Sequence, residues 1–189
     1  MTRGRDKFKK YKKHINFLVK FCSFIPYKVR RKLFEHFRML KGSKGLLIRY
    51  VLLKTLTESC GDNVSIHPNV YLFNPQKLTL GDNVSIHPLC YIEALGEIHI
   101  GNDVSIAHGV TIMSTTHIFD EKDININNQG TISDKTVINN NVWIGAKSTI
   151  LSGITIESRA VIAANAVINK DVYSNTVVGG IPAKVLKEF

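Results

Sequence analysis

A six-residue repeat runs through this chain from Cys60 to Tyr173. An aliphatic residue, a turn-prone pair or triplet and a small or β-branched residue recur, as in Leu80-Gly-Asp-Asn-Val-Ser and Ile100-Gly-Asn-Asp-Val-Ser. A short fixed period of this kind predicts a solenoid, because each unit can bury its apolar face only against its neighbours. The repeat therefore determines the fold and limits where a functional site can lie.

The aliphatic positions of the repeat form five groups of three. They are positions 60, 66, 72; 80, 86, 92; 100, 106, 112; 138, 144, 150; and 156, 162, 168. Three hexads make one coil, and Gly-Asp-Asn or Asn-Asn-Asn triplets supply the backbone freedom that a sharp corner needs. We predict an all-β body, a three-sided prism of short parallel strands whose coils stack about 4.8 Å apart. Its flat faces are expected to associate with other copies.

The spacing of these groups is irregular in two ways. The last two groups start 18 residues apart, whereas the earlier ones start 20 apart, which predicts two extra residues at one corner of each early coil. A coil that starts at 100 should be followed by one at 118, but the repeat resumes only at 138. The intervening segment, about 118–137, is polar and rich in turn-forming residues, and we predict that it is an extruded loop.

The residues before the repeat have a different character. Residues 1–60 hold 17 Lys and Arg against 3 acids, a formal charge of +14 (17 − 3), whereas the remainder is mildly acidic. Apolar residues at helical spacing predict a helical N-terminal arm over 1–58, followed by a β-helical domain over 59–189. The expected helices are a short one around Phe17–Ile25, a second around Val29–Leu40 and a third around Leu46–Leu56.

Two interpretations of this basic arm remain open. Its helices could cap the open end of the solenoid, or its paired basic and aromatic faces could contact an anionic membrane surface. The arm shows no recognised fold or stacking-aromatic pattern for nucleic acid, so no nucleic-acid partner is expected.

No segment has the features of an exported or integral membrane sequence. The apolar run within His14–Tyr27 is interrupted by Lys20, lacks a small-residue cleavage site and is shorter than the about 20 residues that span a bilayer. Cys22, Cys60 and Cys90 form no CxxC motif, which favours a reducing compartment. We expect a cytoplasmic protein, with peripheral contact at the inner face of the plasma membrane as the open alternative.

Three further motifs accompany the hexads. Ser114-Thr-Thr-His117 precedes the loop, Val142-Trp-Ile-Gly145 follows it, and Val178-Gly-Gly-Ile-Pro-Ala-Lys184 lies near the end. Together with the hexads they resemble the hexapeptide-repeat acyltransferases, which fold as a left-handed parallel β-helix. Within that superfamily, residues 60–189 look like the maltose/galactoside acetyltransferase branch and its relatives in bacterial surface-polysaccharide synthesis. The resemblance implies a homotrimer that uses acetyl-CoA, bound in a groove between neighbouring prisms.

The resemblance also implies roles for particular residues. His117 corresponds to the general base, which would remove the proton of an acceptor hydroxyl as that hydroxyl attacks the thioester directly. Trp143 and Gly145 correspond to the acyl pocket, where a backbone N–H would meet the developing oxyanion. The expected CoA site consists of small residues along a groove and cations near the phosphates: Ala146, Ala163, Ala164, Lys170, Lys184 and Lys187.

The acceptor side is less well defined. His87 occupies the position of an acceptor-orienting Asn in the maltose/galactoside type, so acceptor specificity does not carry over from that branch. Glu93 and Asp120 are further candidates for contact with the acceptor, although each could be an ordinary solvated residue. The chain departs from the family pattern where glycines are common: at Asn139, Glu157 and Asn165.

A metal site is a weaker alternative. His67 and His87 hold the same place in consecutive coils and, with His108, suggest a site like that of the γ-class carbonic anhydrases. His108 is one position out of register with the other two, so no metal is expected. The predicted function is acetyl-CoA-dependent O-acetyl transfer to a sugar in bacterial capsule, exopolysaccharide or O-antigen synthesis. An N-acetyltransferase acting on an amino-sugar nucleotide and a non-catalytic β-helical scaffold remain the alternatives.

Overall fold

Three helices precede a long series of very short strands. A computed structural model describes residues 4–189, so the first three residues of the predicted arm lie outside the described residues. The helices are Gly4–Ser23 (α1), Tyr27–His36 (α2) and Gly42–Leu53 (α3), with single 3₁₀ turns at Phe37–Met39, Pro75–Lys77 and Ile126–Asn128. Within residues 4–189, no helix combines the length and the apolar character needed to cross a bilayer.

The strands follow the hexads. In chain order they are Ser59–Cys60 (β1), Ser65–Ile66 (β2), Tyr71–Phe73 (β3), Leu78–Leu80 (β4), Ser85–Ile86 (β5), Tyr91–Glu93 (β6), Ile98–Ile100 (β7), Ser105–Ile106 (β8), Thr111–Ile112 (β9), Thr115–His117 (β10), Thr131–Ser133 (β11), Thr136–Ile138 (β12), Trp143–Ile144 (β13), Thr149–Ile150 (β14), Thr155–Ile156 (β15), Val161–Ile162 (β16), Val167–Ile168 (β17), Thr176–Gly180 (β18) and Ala183–Glu188 (β19).

The strands stack into the three faces of a prism. Sheet A has the order β1-β4-β7-β12-β15, sheet B the order β2-β5-β8-β13-β16-β18-β19, and sheet C the order β3-β6-β9-β14-β17. All neighbours are parallel except β18 and β19, and the aliphatic positions pair in register, for example Ile86 with Ile106. The predicted parallel solenoid is therefore confirmed, with five complete coils and the start of a sixth at Val172.

The interior of the prism consists of the predicted aliphatic positions. Every one of them is buried except Cys60 and Leu72 of the first coil, which are partly buried. A second set of inward residues, small or β-branched, fills the corners, and Val84, Val104 and Ala160 are fully buried there. Burying one aliphatic side chain contributes about 1.5–3 kcal/mol, so the stacked isoleucines dominate the stability of the body.

The corner between sheets A and B, the AB corner, is regular along the whole prism. Neighbouring coils are joined by side-chain acceptors: Asp82 Oδ1 accepts from Asp62 N at 2.7 Å, and Asn102 Oδ1 accepts from Asp82 N at 2.7 Å. Asn140 Oδ1 continues this ladder by accepting from Asn102 N at 2.8 Å. One residue per coil turns through left-handed φ values of 55–63°: Asn63, Asn83, Asp103, Asn141, Arg159 and Asn175.

The corner between sheets C and A, the CA corner, varies from coil to coil. The first coil inserts the 3₁₀ turn Pro75–Lys77 and the second inserts residues 94–97, which confirms the two predicted extra residues. The third coil leaves the prism here as an antiparallel hairpin of β10 and β11. The hairpin stem starts at Thr115 and the prism resumes at Thr136, so the projecting segment begins and ends earlier than the predicted 118–137.

All three helices of the arm begin earlier than predicted, and the first one differs most. α1 begins at Gly4 and is not short, because the buried Ile15 and Cys22 and the partly buried Phe8 and Val19 form a packing stripe along most of its length. The predicted apolar residues around Phe17 lie on the opposite, exposed face. The spacing of apolar residues in the sequence therefore predicted the helix correctly, but it did not show which face of the helix packs against the protein.

Helix α3 covers the open end of the first coil. Leu53 is fully buried, and the buried Arg49 donates from Nε to Ile66 O at 2.8 Å and from Nη1 to Leu40 O at 2.6 Å. Tyr50 donates its hydroxyl to Gly61 O at 3.0 Å. These contacts satisfy carbonyl groups at the end of the stack, as the capping interpretation requires.

Candidate active site

His117 lies on the stem of the hairpin that leaves the CA corner. It is the last residue of β10, it pairs in register with Thr131 of β11, and its side chain is exposed. The antiparallel pairing fixes the backbone of the histidine although the tip of the hairpin, residues 118–130, projects beyond it. A titratable imidazole is thus presented on a defined strand next to solvent.

Glu93 fastens the root of this hairpin from the preceding coil. Its Oε2 accepts from Thr115 Oγ1 at 2.9 Å, and its Oε1 accepts from Leu95 N at 2.6 Å. The fully buried Ser114 donates from Oγ to Glu93 O at 2.8 Å and accepts from Gly96 N at 2.8 Å. Glu93, which the sequence suggested as an acceptor contact, therefore holds the strand two residues before His117. No sequence signal indicated this role, because the partners are 22 residues apart.

Gly145 lies at the corner between sheets B and C, the BC corner. A Cβ there would come within 2.6 Å of Ala164 N and 2.7 Å of Ile162 O, so no larger residue fits. Its own N–H donates to Ile162 O at 2.8 Å. The neighbouring N–H of Ala146 has no hydrogen-bond acceptor within residues 4–189. Ala146 rather than Gly145 thus offers the free backbone donor at this corner.

Trp143 stands on the outer face of sheet B, next to a cleft of about 480 Å³. The indole is 57% exposed, and Val161 and Phe189 line the cleft beside it. Arg159 also lines this cleft, and its φ of 63° is unusual for a bulky residue. The sequence analysis missed Arg159, although the register shows it at the corner position that Asn141 holds one coil earlier.

Most of the residues expected to hold CoA lie around sheet B and its BC corner, whereas Lys170 lies at the CA corner. Ala164 is exposed one coil beyond Ala146, and Ala163 packs so closely under Gly179 that a Cβ on that glycine would come within 2.9 Å of it. Lys184 and Lys187 are exposed on β19, which pairs with β18 at the edge of sheet B. Lys170 is also exposed but follows β17 at the CA corner, so the structure does not bring it together with the other two lysines.

Within one chain, the candidate base and the small-residue corner are apart. His117 extends from the CA corner, whereas Gly145 and Ala164 lie at the BC corner. Sheet C separates these two corners. A single copy of the chain therefore carries both halves of the candidate site without joining them.

The remaining candidates on the acceptor side are not brought together. His87 is exposed at the BC corner and stacks on His67 with ring centroids 4.8 Å apart. Burial lowers the pKa of His67, and the nearby His87 and Arg49 lower it further. Asp120 is exposed in the hairpin and, within residues 4–189, has no hydrogen bond to His117. In the same part of the chain, no three His, Cys, Asp or Glu residues converge on a possible metal position.

Two departures from the family glycines have local explanations. Glu157 accepts from Asn139 Nδ2 at 2.9 Å, which links two coils on the outside of the prism. Asn165 has a φ of 58°, the left-handed conformation that asparagine tolerates.

Comparison with known proteins identifies the family. The family model "Bacterial transferase hexapeptide (six repeats)" matches residues 135–170. Galactoside O-acetyltransferase of Escherichia coli K12 is 31% identical over 142 residues, which is 75% of this chain and 68% of that protein. The chain belongs to the hexapeptide-repeat acetyltransferase superfamily. The prediction of an acyltransferase enzyme is confirmed at this level.

Other curated relatives match a shorter stretch. A chloramphenicol acetyltransferase of Agrobacterium fabrum is 47% identical over 53 residues, 28% of this chain and 25% of that protein. WbbJ of Escherichia coli K12, named for O-acetyl transfer in lipopolysaccharide biosynthesis, is 39% identical over 57 residues, 30% of this chain and 29% of that protein. The chain thus spans between a quarter and about two thirds of the length of these three relatives.

Solved structures match over most of the chain. A maltose O-acetyltransferase from Clostridium difficile 630 superposes with a TM-score of 0.78 at 28% identity, covering 92% of this chain and 88% of that one. A hexapeptide-repeat acetyltransferase from Vibrio cholerae, solved with acetyl-CoA, superposes with a TM-score of 0.75 at 28% identity, covering 86% of each chain. These neighbours confirm the predicted left-handed β-helix with a helical N-terminal region.

Proposed function

We propose that this chain is an acetyl-CoA-dependent O-acetyltransferase that acetylates a sugar hydroxyl in a surface polysaccharide or its precursor. The observation that carries the proposal is the exposed His117 on a hairpin stem that Glu93 and Ser114 fasten to the prism. A general base needs this combination of a fixed backbone and access to substrate. The sugar O-acetyltransferases among the relatives support the acceptor class.

In the proposed mechanism, His117 accepts the proton of the acceptor hydroxyl as its oxygen attacks. Acetyl-CoA, as the co-substrate, supplies the acetyl thioester. The free N–H of Ala146 meets the negative charge that develops on the carbonyl oxygen. We assign Trp143, exposed on sheet B three residues earlier, to the wall of the acyl pocket. Because no residue of the site needs to be acylated, we expect sequential rather than ping-pong kinetics.

The fit to CoA rests on small residues and cations around sheet B. Ala163 and Ala164 leave room along the BC corner, where larger side chains would fill the space. The exposed Lys184 and Lys187 suit phosphates at a solvated rim, and Arg159 adds a further cation in the cleft beside Trp143. Lys170, at another corner, would contribute only if a neighbouring chain is present.

We further propose a cytoplasmic homotrimer whose active sites lie between neighbouring prisms. One chain holds His117 at the CA corner and the Gly145 corner beyond sheet C. Cyclic symmetry would place the CA corner of one copy beside the BC corner of the next and complete the site.

The first test measures acetyl transfer with purified protein, acetyl-CoA and a panel of sugars, by following the release of free thiol. We expect transfer to a hydroxyl, and a His117→Ala variant that still binds CoA by calorimetry but turns over poorly. Transfer that requires an amine would reassign the chain to N-acetylation. Absence of CoA binding by both proteins would favour a scaffold.

Mixed oligomers test the shared site. His117→Ala removes the base, and Gly145→Phe blocks the small-residue corner, so each variant alone should be inactive. If sites form between copies, an equal mixture assembled by co-expression should recover about one quarter of wild-type activity, because one adjacent pair in four combines two intact halves. A mixture as inactive as its components would argue that each chain builds its own site.

A further inference from the structure

The outward face of α1 carries a row of aromatic rings. Phe17 and Phe21 are one helical turn apart, and Phe24 continues the row just past the end of the helix. These three residues, the Phe stripe, are 70%, 65% and 79% exposed. They lie opposite the stripe that includes Ile15 and Cys22, which packs against the rest of the protein.

The packing of α1 against the rest of the protein does not require the Phe stripe. The helix is already held by its other face: Phe8 packs edge-on against Tyr50 with ring centroids 5.5 Å apart, and the Cys22 thiol lies 3.8 Å from Thr55 Oγ1. Exposed apolar residues are ordinary when scattered, but a contiguous row marks a surface that contacts something else.

The charges on α1 are divided between its faces. On the inward side, Arg5 pairs with Asp103, and Lys12 pairs with Asp62. On the outward side, Lys13 and Lys20 flank the Phe stripe, with Lys10 about two turns before Phe17. All three are exposed, and none has an acidic partner within residues 4–189. The aromatic row is therefore bordered by cations that have no role in holding the helix.

An apolar row bordered by these lysines indicates what kind of surface α1 contacts. A second copy of the same face would bring lysine against lysine, which is repulsive when apolar burial excludes water. An anionic bilayer surface is complementary in both respects, because aromatic rings enter the boundary of headgroups and acyl chains while lysine ammonium groups reach the phosphates. We propose that the Phe stripe and its flanking lysines dock α1 on an anionic phospholipid membrane.

Docking would bring the prism to a surface without inserting it. The arm is fastened to the first coil through Arg49 and Tyr50, so the whole body would follow α1 to the membrane. If the proposed function is right, an acceptor sugar carried on a lipid would then be within reach of the hairpin. The docking itself depends only on α1 and not on catalysis.

The experiment is flotation of the full chain with vesicles of phosphatidylcholine, alone or with about one third phosphatidylglycerol. We expect binding to the anionic vesicles that weakens as salt is raised, and little binding to the neutral ones. Phe17→Ser with Phe21→Ser should lower the partition coefficient about tenfold or more, because both rings leave the interface. Lys13→Glu with Lys20→Glu should lower it about tenfold.

Tyr173→Ser is the matched control, because it removes a ring that is 75% exposed on the last coil, at the other end of the prism. Its vesicle binding should equal that of the wild type. Circular dichroism and thermal melting should show all variants folded, since the replaced side chains are exposed.

Two results would overturn the proposal. One is equal binding to neutral and anionic vesicles, and the other is unchanged vesicle binding by the double Phe variant. If that unchanged binding came with a change in the variant's sedimentation velocity, the stripe would be assigned to a contact between copies. Flotation requires no turnover, and acetyl transfer to a soluble sugar should persist in the Phe variant, so failure of the proposed function would be recognised separately.

Discussion

The chain turns from one sheet to the next at both the AB and CA corners of the prism, but the turn is uniform at the first and variable in length at the second. At the AB corner every coil turns at one left-handed residue, and the ladder of Asp82, Asn102 and Asn140 joins successive coils. At the CA corner the turn length changes from coil to coil, and one coil leaves as a hairpin. A corner without a ladder tolerates insertions, so a solenoid can carry a functional loop there without interrupting its core.

The comparison predicts that the largest loss of activity comes from the CA corner. His117→Ala should lower kcat about 10²–10⁴-fold, the usual contribution of a general base. The melting temperature should be unchanged, because the side chain is exposed. Steady-state kinetics and a thermal melt measure both, with His14→Ala, an exposed histidine on α1, as the control. Full turnover by the His117 variant would remove the candidate base.

The largest loss of stability should come from the AB corner. A Cβ on Gly81 would come within 2.5 Å of Asn102 Oδ1 and 2.7 Å of Gly101 C, so Gly81→Ala must displace the ladder. We expect a loss of about 1–3 kcal/mol in the free energy of unfolding, with normal turnover per folded molecule.

Gly130→Ala provides the matched change in the hairpin, where a Cβ meets nothing within 4 Å. Its φ of 88° still strains an alanine, so a smaller loss, confined to the hairpin, is expected. Denaturant unfolding of both variants measures the difference. Equal destabilisation would contradict the distinction between the two corners.

Glu93→Gln tests how the hairpin is fastened to the prism. The amide retains one acceptor oxygen, whereas the carboxylate accepts with both, from Thr115 Oγ1 and Leu95 N. We expect a fall in kcat of about tenfold and faster hydrogen exchange in the hairpin stem, because one of the two donors loses its acceptor. KM for acetyl-CoA should be unchanged.

Glu97→Gln is the control, because Glu97 lies at the same corner and its carboxylate is 3.9 Å from both His99 Nε2 and Lys135 Nζ, beyond hydrogen-bond distance. If both variants slow the reaction equally, the effect would reflect local charge and not positioning.

The smallest expected effect is a pH dependence of the free energy of unfolding that arises at the BC corner. Burial lowers the pKa of His67 below its ordinary 6.5, with His87 and Arg49 adding to the shift. The unfolded chain therefore binds a proton more readily than the folded one, and the free energy of unfolding should decrease as pH falls from about 6.5 towards the lowered value. His67→Gln should reduce this acid sensitivity in melts recorded above and below that window. An unchanged pH profile would show that His67 titrates as an exposed histidine.

The sequence predicted the structure correctly where the spacing of aliphatic residues shows which side chains are buried. Ile86, Ile106 and Ile144 repeat in a spacing that only a stacked coil can bury, so register and corners could be read from the chain. The position of His117 at a loop root followed from the point where that spacing stops. The same logic placed the extra residues at a single corner.

The remaining features depend on contacts that a linear pattern does not encode. The apolar residues of α1 that the sequence pattern emphasised, around Phe17, are exposed. The face that packs carries Phe8 and Ile15 together with Lys12, which pairs with Asp62, so its apolar pattern is interrupted in the sequence. Glu93 reaches Thr115 across coils, and the N–H of Gly145 is already engaged with the next coil. In the proposed trimer, His117 of one copy would meet the Ala146 corner of another, an arrangement that no pattern within one chain encodes.

The antiparallel β19 has a consequence for how copies of this chain behave in solution. A parallel stack grows by adding coils, so the last coil would otherwise present sheet B as a template for another molecule. β19 reverses direction across β18 and places Lys184 and Lys187 on that edge, while α3 covers the first coil. Sheet B is therefore a poor seed for fibres at both of its ends, and crowded copies should meet side by side more readily than end to end through this face.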